Sequence, residues 1–344
     1  GRCGVIDPRQ ALARFMERRD LTREETESLF GDLMDGLISD PLKAALLVAL
    51  RMKGEAPSEI AGAAAAMRGR AVTIPHARAG IVDTCGTGGD GKGTFNISTA
   101  AAIVAAAAGA PVAKHGNRSV SSRSGSADVL MALGVDVGIT PERAGRSLEE
   151  IGIAFLFAPN LHPAMAEVMP VRRELATRTL FNVLGPLTNP AGARRQVLGV
   201  YAAELVPVIA QVLAELGSEH ALVVHGSDGL DEITTTGPTT IGEVRDGEVA
   251  VYQVGPEELR VRRAELSELA GGEPEDNARA MLDVLEGSQG ALSDVTAVNA
   301  GAALYVAGRA PDLKTGVERA REALVSGAAR AKLEELKGFT RGAA

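Results

Sequence analysis

The chain has no tryptophan and few aromatic side chains of any kind. Its 344 residues include 3 Tyr, 7 Phe and no Trp, and the formal net charge is -8. Such a composition offers little surface for stacking nucleobases and no broad basic face for a phosphate backbone. We therefore expect no nucleic-acid partner.

Cysteines and long apolar runs are also scarce. Cys3 and Cys85 are the two cysteines, and their wide separation fits neither a metal-ligand cluster nor a disulfide framework. The most apolar run, residues 100–113, is too short to span a bilayer. The first residues lack the apolar core of a signal peptide. These features predict a cytoplasmic protein with no membrane anchor.

The first seventy residues have the apolar spacing of helices. Thr22 and Glu25 are placed as a capping box, and leucines recur behind them at helical intervals. We predict a small all-helical N-terminal domain over residues 1–72. The helical and loop-like sequence near 163–190 is predicted to be an insertion that rejoins this domain.

From residue 73 the pattern changes to short apolar strands that alternate with helices. This alternation predicts an α/β domain over residues 73–344, with a central, mostly parallel sheet covered by helices. Near its middle, "GEVRDGEVAVYQV" is typical of a hairpin that turns at Asp246 and Gly247.

The glycine loop, "GTGGDGKGT" at residues 86–94, has a glycine spacing that resembles two nucleotide-binding motifs. A dinucleotide site would need an acidic residue after the next strand, where the chain has "AKHGN". A P-loop would need a hydroxyl after Lys92, where Gly93 stands. Two interpretations remain. The loop is either a tight turn whose glycines have no role in binding, or a backbone cradle for a phosphorylated ligand at a helix N-terminus.

Two further polar loops follow predicted strands. The segment "KHGNRSVSSRSGSAD" at 114–128 is basic, and "HGSDGLDEITTTGPT" contains Asp228, Asp231 and Glu232. Either loop could simply be solvated surface. In open α/β sheets, however, ligands bind at the carboxyl ends of strands, and carboxylates beside a phosphorylated ligand suit Mg²⁺.

Arginines recur in "PVRRELATRT", which contains Arg172, Arg173 and Arg178. Arginines on a helix are often only solvated. A guanidinium can also hold a planar carboxylate through two parallel hydrogen bonds. The segment is therefore a candidate site for an acidic substrate.

Together these motifs resemble one family, the anthranilate phosphoribosyltransferases of tryptophan biosynthesis. The motifs "GTGGDGKGTFNIST", "KHGNRSVSS", "GSADVL", "HPAM", "PVRREL", "FNVLGPLTNPAG", "DGLDE" and "TTTGPT" occur in the family's order and spacing. The resemblance extends from about residue 10 to residue 335. It implies transfer of the phosphoribosyl group from 5-phosphoribosyl 1-diphosphate (PRPP) to the amine of anthranilate. It also implies two Mg²⁺ ions per active site and a homodimer formed through the helical domain.

The resemblance further implies the residues that bind each substrate. Magnesium would be held through Ser98, Asp231 and Glu232. Anthranilate would contact Gly86, Asn117 and Arg172, with His115, His162 and Gly185 along its route. PRPP would be held by Gly86, Gly89, Asp90, Thr94, Asn96, Ile97, Ser98, Thr99, Lys114, His115, Gly116, Asn117, Arg118, Ser119, Val120, Ser121, Ser122 and Ser126.

One departure from the family pattern concerns substrate entry. Ala166 and Glu167 stand where family members often have basic residues, and Met169 stands where a smaller residue is common. No side chain is singled out as a general base, because the amine of anthranilate is already a usable nucleophile.

Two rival functions fit the same fold. A pyrimidine nucleoside phosphorylase would carry the phosphate loop "KHSTGG", which this sequence lacks, and would not need the Asp231 and Glu232 pair. A non-catalytic, nucleic-acid-binding relative would not need Arg172 and Asn117 and would not be expected to have a net charge of -8.

Overall fold

The chain begins with a group of four helices. The structure, a computed structural model, describes residues 4–119 and 123–342. Both hydrogen bonds of the capping box between Thr22 and Glu25 are present. Glu59 is fully buried and pairs with Lys53 at 2.8 Å, which joins the third helix to the fourth. The four are α1 (Pro8–Met16), α2 (Arg23–Met34), α3 (Asp40–Lys53) and α4 (Pro57–Arg68).

A seven-stranded sheet forms the centre of the second part. Its order is β3-β2-β1-β4-β5-β6-β7, with the first five strands parallel and the last two antiparallel, which confirms the mostly parallel prediction. Asp246 and Gly247 form the predicted hairpin turn, both with positive φ. The strands are β1 (Val82–Gly86), β2 (Val112–Gly116), β3 (Ile153–Phe157), β4 (Arg195–Gly199), β5 (His220–Gly226), β6 (Thr239–Arg245) and β7 (Glu248–Val254).

Helices cover both faces of this sheet. One apolar cluster includes the Ala-rich helix α5 and helices α12 to α15, a second joins α11 to the N-terminal helices, and a smaller third includes residues of α7 and β3. No helix within residues 4–119 and 123–342 is long and apolar enough to cross a membrane. The helices are α5 (Ile97–Ala107), α6 (Ser126–Ala132), α7 (Pro141–Glu150), α8 (Ala158–Leu161), α9 (Met169–Leu175), α10 (Phe181–Leu184), α11 (Leu205–Glu215), α12 (Pro274–Leu285), α13 (Ala291–Val306), α14 (Leu313–Val325) and α15 (Ala328–Arg341).

The segment around α9 and α10 lies against the N-terminal helices. The ammonium of Lys43 on α3 donates to the carbonyl of Glu167 at 2.7 Å, and Arg68 donates to the carbonyl of Leu187 at the same distance. These contacts link the two parts of the chain. The division at residue 72 stays a prediction.

Helices α13 and α14 touch backbone to backbone at two glycines. A Cβ built on Gly316 would lie 2.2 Å from the carbonyl oxygen of Gly301, and one built on Gly301 would lie 2.5 Å from the nitrogen of Val317. Neither neighbour is a flexible side chain that could move aside. The two helices can therefore approach this closely only because both positions lack a side chain.

We expect Gly316→Ala to lower the free energy of unfolding by about 1 to 3 kcal/mol, although alanine is the better helix former, because α13 and α14 must move apart. Denaturant unfolding measures this change. The matched control is Gly338→Ala in α15, where a Cβ would meet nothing within 4 Å. That variant should be neutral or slightly more stable, and equal effects of the two substitutions would contradict the close-contact explanation.

Candidate active site

The glycine loop leaves β1 at the centre of the sheet and is held at both ends. Gly88, Gly89, Gly91 and Gly93 have φ values of 63°, 75°, 72° and 63°, in the left-handed region that favours glycine. The amide of Thr87 donates to the carbonyl of Gly199 at 2.9 Å. At the other end, the amide of Gly271 donates to the carbonyl of Gly93 at 2.9 Å. Backbone hydrogen bonds thus hold both ends of the loop, and the residues between them lie at the carboxyl end of the sheet.

Asp231 and Glu232 follow β5 and reach across to the glycine loop. Asp231 Oδ2 accepts from the amide of Gly88 at 2.8 Å, and Glu232 Oε1 accepts from the amide of Ser98 at 3.2 Å, at the N-terminus of α5. This contact places a carboxylate at the positive end of a helix. Two of the three polar loops predicted from the sequence, the glycine loop and the acidic loop, therefore meet here.

Two strand-end glycines make room for the acidic pair. A Cβ on Gly86 would lie 2.5 Å from Asp231 Oδ2, and one on Gly199 would lie 1.5 Å from the Asp231 carbonyl oxygen. The two glycines are register partners at the ends of β1 and β4. Gly199 was not among the predicted site residues, and its one sequence signal is a glycine that ends the strand in "QVLGVY".

Both carboxylates have raised pKa values, so each is a weaker acid than usual. Burial and the nearby Asp90 raise the pKa of Asp231 to about 6. Burial and the charge of Asp231 raise the pKa of Glu232 to about 8. A divalent cation between them would relieve this crowding of negative charge, so the residues present fit Mg²⁺. No group of three or more metal-ligating His, Cys, Asp or Glu side chains occurs within the described ranges. Mg²⁺ commonly uses one or two carboxylates and takes its other ligands from water and substrate oxygens.

Lys114, in the middle of β2, is the buried cation of the site. Its ammonium donates to the carbonyl of Thr84 and, at 3.2 Å, to the hydroxyl of Ser98. Burial lowers the pKa of Lys114, while Asp83 and Glu232 act in the opposite direction. The ammonium therefore lies beside the N-terminus of α5, where the charge of Glu232 also acts on it.

The residues at the N-terminus of α5 differ in which of their groups a ligand could reach. Ile97 is buried in the core, so it can meet a ligand only through its backbone. The Asn96 side chain donates to the carbonyl of Ser124 at 3.1 Å and accepts from Asn277 at 2.8 Å, which joins the turn to the basic loop. The hydroxyl of Thr99 is buried and has no hydrogen-bond partner among the described residues.

The basic loop after β2 is braced by its own polar groups. The Ser126 hydroxyl accepts from the amide of Asn117 at 3.2 Å, and Asp128 accepts from the amide of Ser119 at 3.0 Å. Arg118 extends toward the sulfur of Met131, at 3.6 Å. A Cβ on Gly116 would lie 2.3 Å from the Ser126 hydroxyl oxygen. The predicted residues Val120, Ser121 and Ser122 lie outside the described residues.

His115, His162 and Gly185 lie together, and their hydrogen bonds fix the ring protons. His115 Nδ1 lies 3.2 Å from the carbonyl oxygen of Gly185, so this nitrogen must carry the proton. His115 Nε2 is then an acceptor, and His162 Nε2 donates to it at 3.2 Å. His162 Nδ1 is left as a buried acceptor without a partner in the described part of the chain.

Both rings are held in the neutral form. Burial lowers the pKa of His115 to about 3, with a further contribution from His162, and burial lowers the pKa of His162 to about 4. At neutral pH both rings are therefore uncharged, and His162 Nδ1 is an acceptor without a partner among the described residues.

Arg172 on α9 is a half-buried cation. Its guanidinium lies 5.6 Å from the centre of the Phe181 ring and 4.0 Å from the sulfur of Met169. Among residues 4–119 and 123–342 it forms no ion pair with a carboxylate. Burial lowers its pKa, since no negative group offsets the loss of water. Such a guanidinium is suited to an incoming carboxylate.

Arg178 has a position that the sequence did not predict. Its guanidinium stacks on Tyr201, 4.2 Å from the ring centre, and donates to the carbonyl of Gly89. The amide of Tyr201 in turn donates to the hydroxyl of Thr87 at 3.1 Å. Arg178 thus ties the segment between α9 and α10 to the glycine loop, whereas the sequence suggested only a possible carboxylate contact.

Comparisons with known proteins assign both parts of the chain to known domain families. Residues 9–71 match the glycosyl transferase family helical bundle domain, and residues 78–330 match the α/β domain of that family. The anthranilate phosphoribosyltransferase of Anaeromyxobacter sp. (strain K) is 56% identical over 331 residues, which cover 96% of this chain and 98% of that protein. The chain belongs to the anthranilate phosphoribosyltransferase family.

Solved structures of the family superimpose closely. The enzyme from Thermus thermophilus has a TM-score of 0.92 and 49% identity, over 96% of this chain and 99% of that one. The Saccharomyces cerevisiae enzyme in complex with PRPP and Mg has a TM-score of 0.89 and 28% identity, over 98% of each chain. The same yeast enzyme with 4-fluoroanthranilate has a TM-score of 0.87 and 27% identity, over 98% of this chain and 99% of that one.

Removal of the Arg178 side chain should loosen the glycine loop. Arg178→Ala removes one hydrogen bond and one cation–π contact, each worth about 1 kcal/mol, so the amides of residues 87–93 should exchange with solvent about tenfold faster or more. Hydrogen–deuterium exchange with mass spectrometry measures this change. The control is Arg173→Ala on the exposed side of α9. Equal exchange in the two variants would show that Arg178 does not hold the loop.

Proposed function

We propose that this protein catalyses the reaction of its family, in which PRPP and anthranilate give N-(5-phosphoribosyl)-anthranilate and diphosphate. The observation that carries the proposal is the convergence of two polar loops and a buried cation on one point. The acidic pair Asp231 and Glu232, the ammonium of Lys114 and the glycine loop meet at the carboxyl end of the sheet. Such a site can hold a metal-bound diphosphate. The product lies on the route to L-tryptophan.

The phosphorylated substrate would lie across the N-terminus of α5. Backbone amides of the glycine loop and the helix turn offer hydrogen-bond donors, and Lys114 offers a compact positive charge. Asp90 would bind a hydroxyl or a metal-bound oxygen, since a carboxylate repels free phosphate. The remaining contacts are proposed for Gly86, Gly89, Thr94, Asn96, Ile97, Ser98, Thr99, His115, Gly116, Asn117, Arg118, Ser119, Val120, Ser121, Ser122 and Ser126.

Magnesium is the cofactor, and two ions per site are proposed. The Ser98 hydroxyl, Asp231 and Glu232 would hold them, because the negative charges of the half-buried pair repel each other there. When bound, the ions would stabilise the negative charge that develops on the departing diphosphate.

Anthranilate would enter on the side of the histidine pair. Its carboxylate would pair with the Arg172 guanidinium, which has no carboxylate partner among the described residues, and Asn117 with the backbone at Gly86 would orient the ring. His162 Nδ1, a buried acceptor, faces no protein donor in the described chain. The neutral rings of His115 and His162, with Gly185, would line the route without attracting a second anion.

The reaction exchanges one bond at the ribose C1 for another. The C1–N bond forms, the C1–O bond to diphosphate breaks, and the amine releases its proton. The transition state resembles an oxocarbenium ion, so the main task of the protein is to stabilise charge on the leaving group. Loop amides and Lys114 supply this stabilisation, and Arg172 supplies orientation, which can contribute on the order of 7 kcal/mol. No side chain is nominated as a general base.

A homodimer through the helical domain is also proposed. Met16 on α1 and Met52 on α3 are 74% and 76% exposed, and both line an apolar groove with Leu12 and Val48. Exposed apolar side chains that share one groove are common in protein interfaces. The domain division at residue 72 and a cytoplasmic location, where charged PRPP would be retained, belong to the same proposal.

The activity is tested by the loss of anthranilate fluorescence on mixing with PRPP and Mg²⁺. The wild-type protein should consume anthranilate. The turnover of Asp231→Asn/Glu232→Gln should be lower by about 100-fold or more, because this variant loses stabilisation of the leaving group. Absence of fluorescence loss with the wild type at any Mg²⁺ concentration would overturn the function.

Arg172→Ala is the control for the acidic pair. This variant should raise the KM for anthranilate and leave the Mg²⁺ dependence as in the wild type, since the guanidinium lies outside the acidic loop. If the double variant followed the wild-type Mg²⁺ titration with full turnover, the metal assignment would be wrong.

The dimer is tested by light scattering on the intact protein. The wild type should have twice the chain mass of 35.5 kDa, and Met16→Glu/Met52→Glu should be monomeric, because two carboxylates would be desolvated in the interface. Val325→Glu serves as the control, since Val325 is 76% exposed on α14, far from the groove in the sequence. A wild-type monomer would contradict the proposal.

A further inference from the structure

A second cleft lies at the opposite end of the sheet, with a volume of about 760 Å³. Arg195 and His220, the first residues of β4 and β5, line it. Strand β5 runs for 7 residues before the acidic loop begins, so the cleft lies roughly 20 Å from that loop. The cleft is therefore separate from the active site, and no step of the proposed reaction uses it.

The charges around this cleft are unbalanced. Four arginines and two carboxylates line it, in a chain whose net charge is -8. Glu219 is already neutralised, because Arg194 and Arg195 bind it at 3.2 Å and 3.1 Å. Of the lining carboxylates, this leaves only Asp246, in the exposed hairpin turn. The lining arginines are Arg195, Arg245, Arg309 and Arg319.

Three of these arginines have no ion pair. Within the described ranges, Arg245, Arg309 and Arg319 form no contact with a carboxylate at ion-pair distance. Arg279 on α12 and Arg321 on α14, which lie outside the cleft, each bind one. Guanidinium groups that share one concave surface repel each other unless an anion lies between them. The arrangement therefore favours a negatively charged occupant.

A hydrogen-bond network holds two of the side chains that line the cleft, His220 and Tyr305. Glu243 accepts three hydrogen bonds, from His220 Nε2 at 2.9 Å, from the Tyr305 hydroxyl at 2.7 Å and from the Tyr252 hydroxyl at 2.9 Å. These bonds hold the pKa of Glu243 at about 2, against the opposing effect of burial. The His220 and Tyr305 rings, which face the cleft, meet edge to face at 4.6 Å. The surface is thus organised before any ligand arrives.

Two of the lining arginines are held by hydrogen bonds to backbone. Arg195 donates to the carbonyl of Val306 at 2.8 Å, and Arg319 donates to the carbonyl of Arg309. These contacts fix the loop that follows α13 against the start of β4. A preorganised, basic concavity of this size fits a metabolite better than an extended chain.

We propose that this arginine cleft, lined by Arg195, Arg245, Arg309 and Arg319, binds a small polyanion with two or more carboxylate or phosphate groups. Guanidinium groups bind both chemistries in the same bidentate fashion. The proposal concerns binding at this remote site and does not depend on the catalysed reaction.

Tyrosine fluorescence provides a local readout, because the protein has no Trp and only three Tyr. In a Tyr201→Phe background, all emission comes from Tyr252 and Tyr305, which belong to the cleft network. Citrate is the carboxylate probe and tripolyphosphate the phosphate probe, each titrated to millimolar concentration. At least one probe should change the emission saturably. A response to citrate alone would show that the cleft binds carboxylate groups. A response to tripolyphosphate alone would show that it binds phosphate groups.

Two charge-matched variants complete the test in the same background. Arg245→Ala/Arg309→Ala should bind the probe about tenfold more weakly or worse, because two charge-assisted contacts are lost. Arg262→Ala/Arg279→Ala removes the same charge from arginines outside the cleft and should bind as the parent does. All four positions are exposed, and thermal unfolding checks that both variants fold. Equal affinity of the two variants, or no response to either probe, would overturn the proposal.

Discussion

Asp231 and Glu232 are half-buried carboxylates packed against backbone, and several other features of the fold are arranged around them. The glycines at the ends of β1 and β4 leave the space that the acidic loop occupies. The N-terminus of α5 offers an amide to Glu232, and Lys114 lies close enough to offset part of the charge. Without a cation the two carboxylates repel each other, which is why the site suits a metal-bound diphosphate.

The coarse architecture could be predicted because it depends on local periodicity and on rules of chain connection. Alternating strands and helices force a parallel sheet, and parallel strands bring their following loops to one edge. The glycine loop, the basic loop and Asp231 could therefore be placed near each other from the sequence alone. The capping box at Thr22 and the turn at Asp246 were equally local and were confirmed.

Contacts between residues distant in sequence could not be predicted in this way. Gly199 matters because the Asp231 carbonyl lies where its Cβ would be, and no local pattern reports that approach. Arg178 looked like another solvated arginine on a helix, yet it stacks on Tyr201 and binds the glycine loop. The ring protons of His115 and His162 depend on a carbonyl 70 positions away from His115. Each case requires the folded chain.

The departure from the family pattern near residue 167 has a structural consequence that bears on substrate entry. The carbonyl of Glu167 accepts from Lys43, and its carboxylate lies against Gly36, where a Cβ would be 2.8 Å from Glu167 Oε2. Glu167 is therefore used to join its segment to the N-terminal helices. Met169, two residues later, places its sulfur 4.0 Å from the Arg172 guanidinium. A bulkier residue at that position limits how Arg172 can turn, so Met169 acts on the orientation of the arginine.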